Sequence, residues 1–92
     1  MEELSVRSTP TPNPESYKFT LNRLVAEGRG ETYTDLQQAF LSPLARALFE
    51  VSGVAGVFLL KDFITIRRQP GASWADVVPA VEQALRSYFA AR

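Results

Sequence analysis

The chain has 92 residues, with ten Lys or Arg set against ten Asp or Glu, so its formal net charge is zero. It contains neither Cys nor His, which excludes disulfides, thiolate and imidazole metal ligands, and catalysis by either residue. The charge balance argues against a partner held mainly through phosphates or an anionic membrane surface, and a 46% hydrophobic content argues against disorder.

Leu4 to Ser8 alternates apolar with polar residues, the period of a half-buried strand. Thr9-Pro10-Thr11-Pro12-Asn13-Pro14 then removes three backbone donors and predicts a stiff loop. Tyr17, Phe19 and Leu21 alternate with Lys18, Thr20 and Asn22, a second strand with an aromatic face. Glu27-Gly28-Arg29-Gly30 is a turn signal, so Leu24-Val25 and Thr32-Tyr33 are expected to pair as a short edge hairpin. Thr34 and Gln37 fit a capping box. Ser42-Pro43 opens a helix with a hydroxyl cap and a proline whose missing donor is not needed there. Leu44, Ala45, Leu48 and Phe49 line one face of that helix, and Gly53 ends it as a left-handed cap. Val54 to Leu60 and Phe63 to Ile66, separated by Lys61-Asp62, predict a hairpin buried deep in a sheet. Ser73 caps a final helix whose apolar stripe runs through Trp74, Val77, Val78, Val81, Leu85, Tyr88 and Phe89. Pro79 inside that stripe predicts a kink or a restart.

The order β-β-α-β-β-α over residues 1–92 predicts one α+β domain. Its architecture is a two-layer sandwich, a mainly antiparallel four-stranded sheet with two helices on one face. If the central hairpin turns through an even number of residues, Val57, Leu59, Ile64 and Ile66 share one face and Phe58, Leu60 and Phe63 the other. An uncovered apolar face of that kind marks an interface, unless a loop such as 23–33 or a terminus lies over it. Arg7, Lys18, Arg67 and Arg68 fall on neighbouring strands, either as a basic patch or as a solvated edge that resists aggregation. The loop from Thr9 to Lys18 is stiff enough to lose little entropy on binding, though prolines equally serve a sharp crossing between strands.

No glycine-rich phosphate loop, nucleophile elbow or carboxylate pair is visible, and the chain is not expected to be an enzyme. Asp62 beside Lys61 suits a turn better than a metal. No stretch approaches the ~18 apolar residues of a membrane span. The acidic start Met-Glu-Glu-Leu-Ser does not read as a secretory signal, so a soluble cytoplasmic protein is expected. Low net charge eases self-association, and a homodimer would fit it.

Two stretches carry a family resemblance. Thr11-Pro12-Asn13-Pro14-Glu15-Ser16-Tyr17-Lys18-Phe19 resembles the T-P-N-P-x-S-x-K-F opening of Nfu/NifU N-terminal domains. Ser42-Pro43-Leu44-Ala45-Arg46-Ala47-Leu48-Phe49 resembles their S-P-L-A-x-x-L-F helix. Val51 to Val54, Val57-Phe58, Asp62 to Ile66, Trp74 and Pro79 extend the likeness over nearly the whole chain. The resemblance implies a role in iron–sulfur cluster assembly or delivery. In full-length family members a second domain bears C-x-x-C, whose thiolates bridge a cluster. No position here matches those cysteines, so the resemblance implies an accessory module that meets a cluster only through an iron–sulfur carrier or client protein. Candidate partner-binding residues are Thr11, Asn13, Pro14, Lys18, Phe58 and Phe63; no catalytic, cofactor-binding or metal-binding residue is assigned. The competing function is a nucleic-acid-binding sandwich with Phe58 and Phe63 as stacking platforms, which the neutral charge disfavours.

Overall fold

Residues with period-two alternation form strands and those with three- and four-residue apolar steps form helices in the computed structural model, which describes residues 3–90. The strands are β1 (Val6–Pro10), β2 (Ser16–Leu21), β3 (Ala26–Tyr33), β4 (Val54–Lys61) and β5 (Phe63–Arg68). The helices are α1 (Pro43–Phe49), preceded by a 3-10 turn over Gln38–Leu41, and α2 (Trp74–Ala90). All strand pairs are antiparallel, in the order β1-β2-β5-β4-β3.

The β4–β5 hairpin decides which side chains meet the helices. Leu60 pairs with Phe63 across the two-residue turn Lys61-Asp62, where Lys61 takes a left-handed φ of 52°. That even turn puts Val57, Leu59, Ile64 and Ile66 on one face, each no more than 2% exposed. Leu44, Ala45 and Leu48 of α1 and Val77, Val81 and Leu85 of α2 join them in one core with Phe19. Each such large aliphatic side chain contributes about 1.5–3 kcal/mol when fully buried. Ser42 Oγ accepts the Ala45 N–H at 3.3 Å with Pro43 at the first helical position. α1 ends at Glu50, whose backbone stays right-handed and whose N–H bonds back to the Arg46 carbonyl at 3.1 Å. Gly53, expected as its left-handed cap, instead takes its φ of 97° in the turn that leads into β4. Ser73 Oγ accepts from the Ala75 N–H at 3.2 Å at the start of α2.

Several expectations need correction. The sheet has five strands rather than four, because residues 26–33 form one edge strand instead of a hairpin. Gly28 (φ 71°) and Gly30 (φ 86°) bulge the strand without reversing it: the register passes from Ala26↔Lys61 to Glu31↔Leu59, five steps on β3 against two on β4. A Cβ at Gly30 would lie 2.7 Å from the Leu59 carbonyl oxygen, so the close backbone approach itself requires glycine. The cap before the 3-10 turn is shifted by one residue. Asp35 Oδ1 accepts the Gln38 N–H at 2.7 Å, and Gln38 Oε1 accepts the Thr34 N–H at 2.9 Å. In α2 no restart occurs at Pro79, which is exposed, so the Ala75 carbonyl it leaves unbonded is also on the wet side of the helix.

Candidate functional site

Both helices cover the same face of the sheet, so the opposite face has no covering layer among the described residues. Strand register maps that open face row by row. Arg7, Thr20, Phe63 and Leu60 lie across one row; Thr9, Lys18, Thr65, Phe58 and Thr32 across the next; Ser16, Arg67 and Gly56 across the third. The 23–33 segment does not fold over this face, because its central part is spent as an edge strand of the same sheet.

The open face is therefore aromatic and cationic. Phe58 and Phe63 are half-buried, with ring centroids 6.3 Å apart at 59°. The Lys18 ammonium stands 4.5 Å from the Phe63 ring centre. A shallow depression of about 200 Å³ lies beside them, lined by Ser16, Thr32, Gly56, Phe58 and Arg67 among others. Gly56 forms part of its wall because it has no side chain to fill it. A second, open trough of about 770 Å³ runs beside Leu21 to Gly28 and the Lys61-Asp62 turn at the far end of the sheet.

Of the six candidate residues, Lys18, Phe58 and Phe63 come together on this face. Thr11, Asn13 and Pro14 do not: they form the β1–β2 loop at the end of the sheet where Ser16 and Arg67 pair. The Thr11 hydroxyl donates to the carbonyls of Asn13 (2.8 Å) and Ser16 (3.1 Å). Asn13 Oδ1 accepts the Glu15 N–H at 3.0 Å, an Asx turn. The Pro14 carbonyl accepts the Trp74 indole N–H at 2.9 Å. These polar groups are thus engaged in holding the loop's own shape.

Sequence spacing gave no sign of what braces that loop. Trp74 is 60 residues from Pro14, and its ring packs 5.1 Å from Tyr17. Arg68 forks onto Glu15, with Nε to Oε1 and Nη2 to Oε2 both at 3.2 Å, and donates a further bond from Nη1 to the Ala72 carbonyl at 2.9 Å. The Arg68 hydrogen bond holds the Glu15 carboxyl below its ordinary pKa. The four basic residues expected on neighbouring strands consequently divide. Arg7, Lys18 and Arg67 share the open face, while Arg68 lies on the helix side against Glu15 and Trp74. At the edge, the Tyr33 phenol is pushed up by the hydrogen bond it donates to Glu31 Oε1 at 2.6 Å.

No group of three or more carboxylates converges among the described residues to hold a metal, and no described helix is long and apolar enough to cross a membrane.

Comparison with known proteins gives the family. The model described as "Scaffold protein Nfu/NifU N terminal" matches residues 6–92. A Drosophila sechellia protein named "NFU1 iron-sulfur cluster scaffold homolog, mitochondrial" is 45% identical over 87 residues, covering 92% of this chain and 30% of the relative. Its Drosophila simulans counterpart is 46% identical over 88 residues. The chain thus spans 30% of the length of these curated relatives. A NifU-like protein from Saccharomyces cerevisiae shares the fold at TM-score 0.84 and 20% identity, over 98% of this chain and 82% of that one. Protein SAV1430 from Staphylococcus aureus matches at TM-score 0.75 and 27% identity, over 91% of this chain and 99% of its own. The names of the fly relatives point to the mitochondrion and overturn the cytoplasmic expectation. With 87 of its residues covered by one family model and the same sheet and helices found in its structural neighbours, this chain belongs to the Nfu/NifU N-terminal family of scaffold proteins.

Proposed function

We propose that this chain is one docking module in iron–sulfur cluster assembly or delivery and that its partner, a cysteine-bearing carrier or a client apoprotein, supplies every cluster ligand. The observation that carries this reading is the pairing of family membership with a sequence free of Cys and His. Clusters are held by thiolates and, in a minority, by imidazoles. The remaining donors are carboxylates and carbonyls, which suit hard cations. A scaffold-family chain with no soft donor contributes a surface, and the uncovered sheet face, with Lys18 stacked on Phe63 beside Phe58, supports its assignment as that surface. The braced loop with Thr11, Asn13 and Pro14 adjoins one end of that face and presents a fixed backbone shape, so little ordering entropy is lost on docking.

The test is a titration of isotopically labelled protein with a C-x-x-C carrier, apo and cluster-loaded, followed by amide shifts. Shifts on β2, β4, β5 and the 11–16 loop are expected. No shift at carrier concentrations on the order of 1 mM, where even a contact of about 4 kcal/mol would register, overturns the reading. A cluster signal retained by the isolated chain after gel filtration would overturn the non-ligand part.

A further inference from the structure

The open face holds charge in a pattern that the neutral total conceals. Its row-by-row register places Arg7 on β1, Lys18 on β2 and Arg67 on β5, each one strand over and one row along from the last. The three cations therefore form a diagonal. Phe63 on β5 and Phe58 on β4 form a second diagonal parallel to it. The register positions of this face among the described strands include no Asp or Glu. The nearby Glu15 is drawn to the helix side by Arg68.

Diagonal neighbours on a sheet are about 7–8 Å apart. Alternate residues of an extended chain recur about every 7 Å. We propose that the open face receives an extended acidic segment of the partner, with carboxylates at alternate positions answering Arg7, Lys18 and Arg67. An apolar residue after the last of them enters the depression between Arg67, Gly56 and Phe58. This deepens the docking reading and rests on it.

Two other occupants fit less well. A second copy would bring cations against cations, with no acid on the face to answer them. Single-stranded nucleic acid needs free ring faces for its bases. Here Lys18 already caps Phe63 at 4.5 Å, and the two rings are tilted 59° from each other, so they offer no common platform.

The experiment uses the whole chain, labelled for amide shifts, and three probes: a short peptide alternating Glu with Ser and ending in Leu, the same peptide with Gln for Glu, and an oligothymidylate of similar charge. The acidic peptide is expected to shift Lys18, Thr65, Arg67 and Gly56. Binding should weaken at least about tenfold with the Gln peptide, and again on raising salt from roughly 50 to 500 mM. Lys18→Glu and Arg67→Glu should each weaken it about tenfold, while Arg86→Glu on α2 should not. Circular dichroism checks each variant's fold, and Lys18→Gln substitutes for a reversal that fails to fold. Equal binding of the Gln peptide, absence of shifts, or tighter binding of the oligothymidylate on this face overturns the proposal. If a carrier shifts the face but neither salt nor Lys18→Glu weakens it, docking stands and the acidic occupant falls. If the acidic peptide binds as described and no carrier does, the chemistry of the face stands and the role in cluster assembly falls.

Discussion

Trp74→Phe tests whether the β1–β2 loop is held by α2 rather than by its prolines alone. The change deletes the indole N–H that donates to the Pro14 carbonyl at 2.9 Å and keeps a ring near Tyr17, whose centroid lies 5.1 Å away. A hydrogen bond of this kind contributes about 0.5–1.5 kcal/mol net. The ring contact, about 0.5–1.5 kcal/mol, is largely retained by phenylalanine. The expected loss is therefore about 1 kcal/mol, which for a chain of this length lowers Tm by about 4–8 °C. Thermal unfolding by circular dichroism reads the total. Amide exchange reads the location: Ser16 N–H, bonded to the Asn13 carbonyl at 3.0 Å, and Glu15 N–H, bonded to Asn13 Oδ1, should exchange faster, while core strand amides follow only the global loss. Trp74→Ala, which also removes the ring, should cost about 2–3 kcal/mol, less than the 3–5 of a fully buried aromatic because Trp74 is half-buried. If Trp74→Phe leaves Tm and the exchange of Glu15 and Ser16 unchanged, the prolines, the Asx turn and the Arg68–Glu15 fork hold the loop without the indole, and the argument that Trp74 braces it is wrong.

Gly53→Ala should cost about 2–4 kcal/mol in denaturant unfolding, combining a φ of 97° with a Cβ placed 2.8 Å from Val77 Cγ2 in the core. Gly71→Ala, at φ 84° with open space around it, should cost only the backbone share of about 1–2 kcal/mol, so equal losses would remove the steric part of the account. Leu48→Ala, at a fully buried position between α1 and the sheet, should cost about 2–5 kcal/mol; a loss below about 1 kcal/mol would contradict its place in the core. Because Arg68 lowers the folded-state pKa of Glu15, their pairing stabilises above the ordinary value of 4.5 and is lost as pH falls through the lowered one. The Tm gap between the wild type and Glu15→Gln should therefore close in acid, and a gap that persists after Glu15 is protonated would refute that linkage.

Local chemistry made much of the fold legible. Ser42-Pro43 and Ser73 act through neighbouring backbone groups, and each does what its residue type predicts, whereas Gly53 takes the left-handed backbone expected of it in the turn after α1 rather than at the helix cap. The β4–β5 hairpin was readable from the apolar run and its two-residue break, but its parity stayed open until the Leu60–Phe63 pairing put Val57, Leu59, Ile64 and Ile66 on the buried face. Residues 26–33 misled for a physical reason. Left-handed glycines serve a hairpin turn and a bulge equally well, and only pairing with β4 decides between them. The candidate site was half legible. Phe58 and Phe63 were candidates for one face on condition of an even turn, and alternation along β5 already sends Arg67 and Arg68 to opposite faces. The meeting of Lys18 with the two rings, the Glu15 fork on Arg68 and the engagement of Pro14 by Trp74 instead depended on partners far along the chain.

Residue composition by itself determined that no thiolate or imidazole can come from this chain, since a donor atom that is not encoded cannot be supplied by any conformation. Periodicity determined which residues would seek a core. Tertiary structure alone decided that β3 closes the opposite edge and that three cations spread along the sequence stand in one diagonal on the face left open. Those are consequences of strand order and register, which arise from contacts between distant segments and have no local signature.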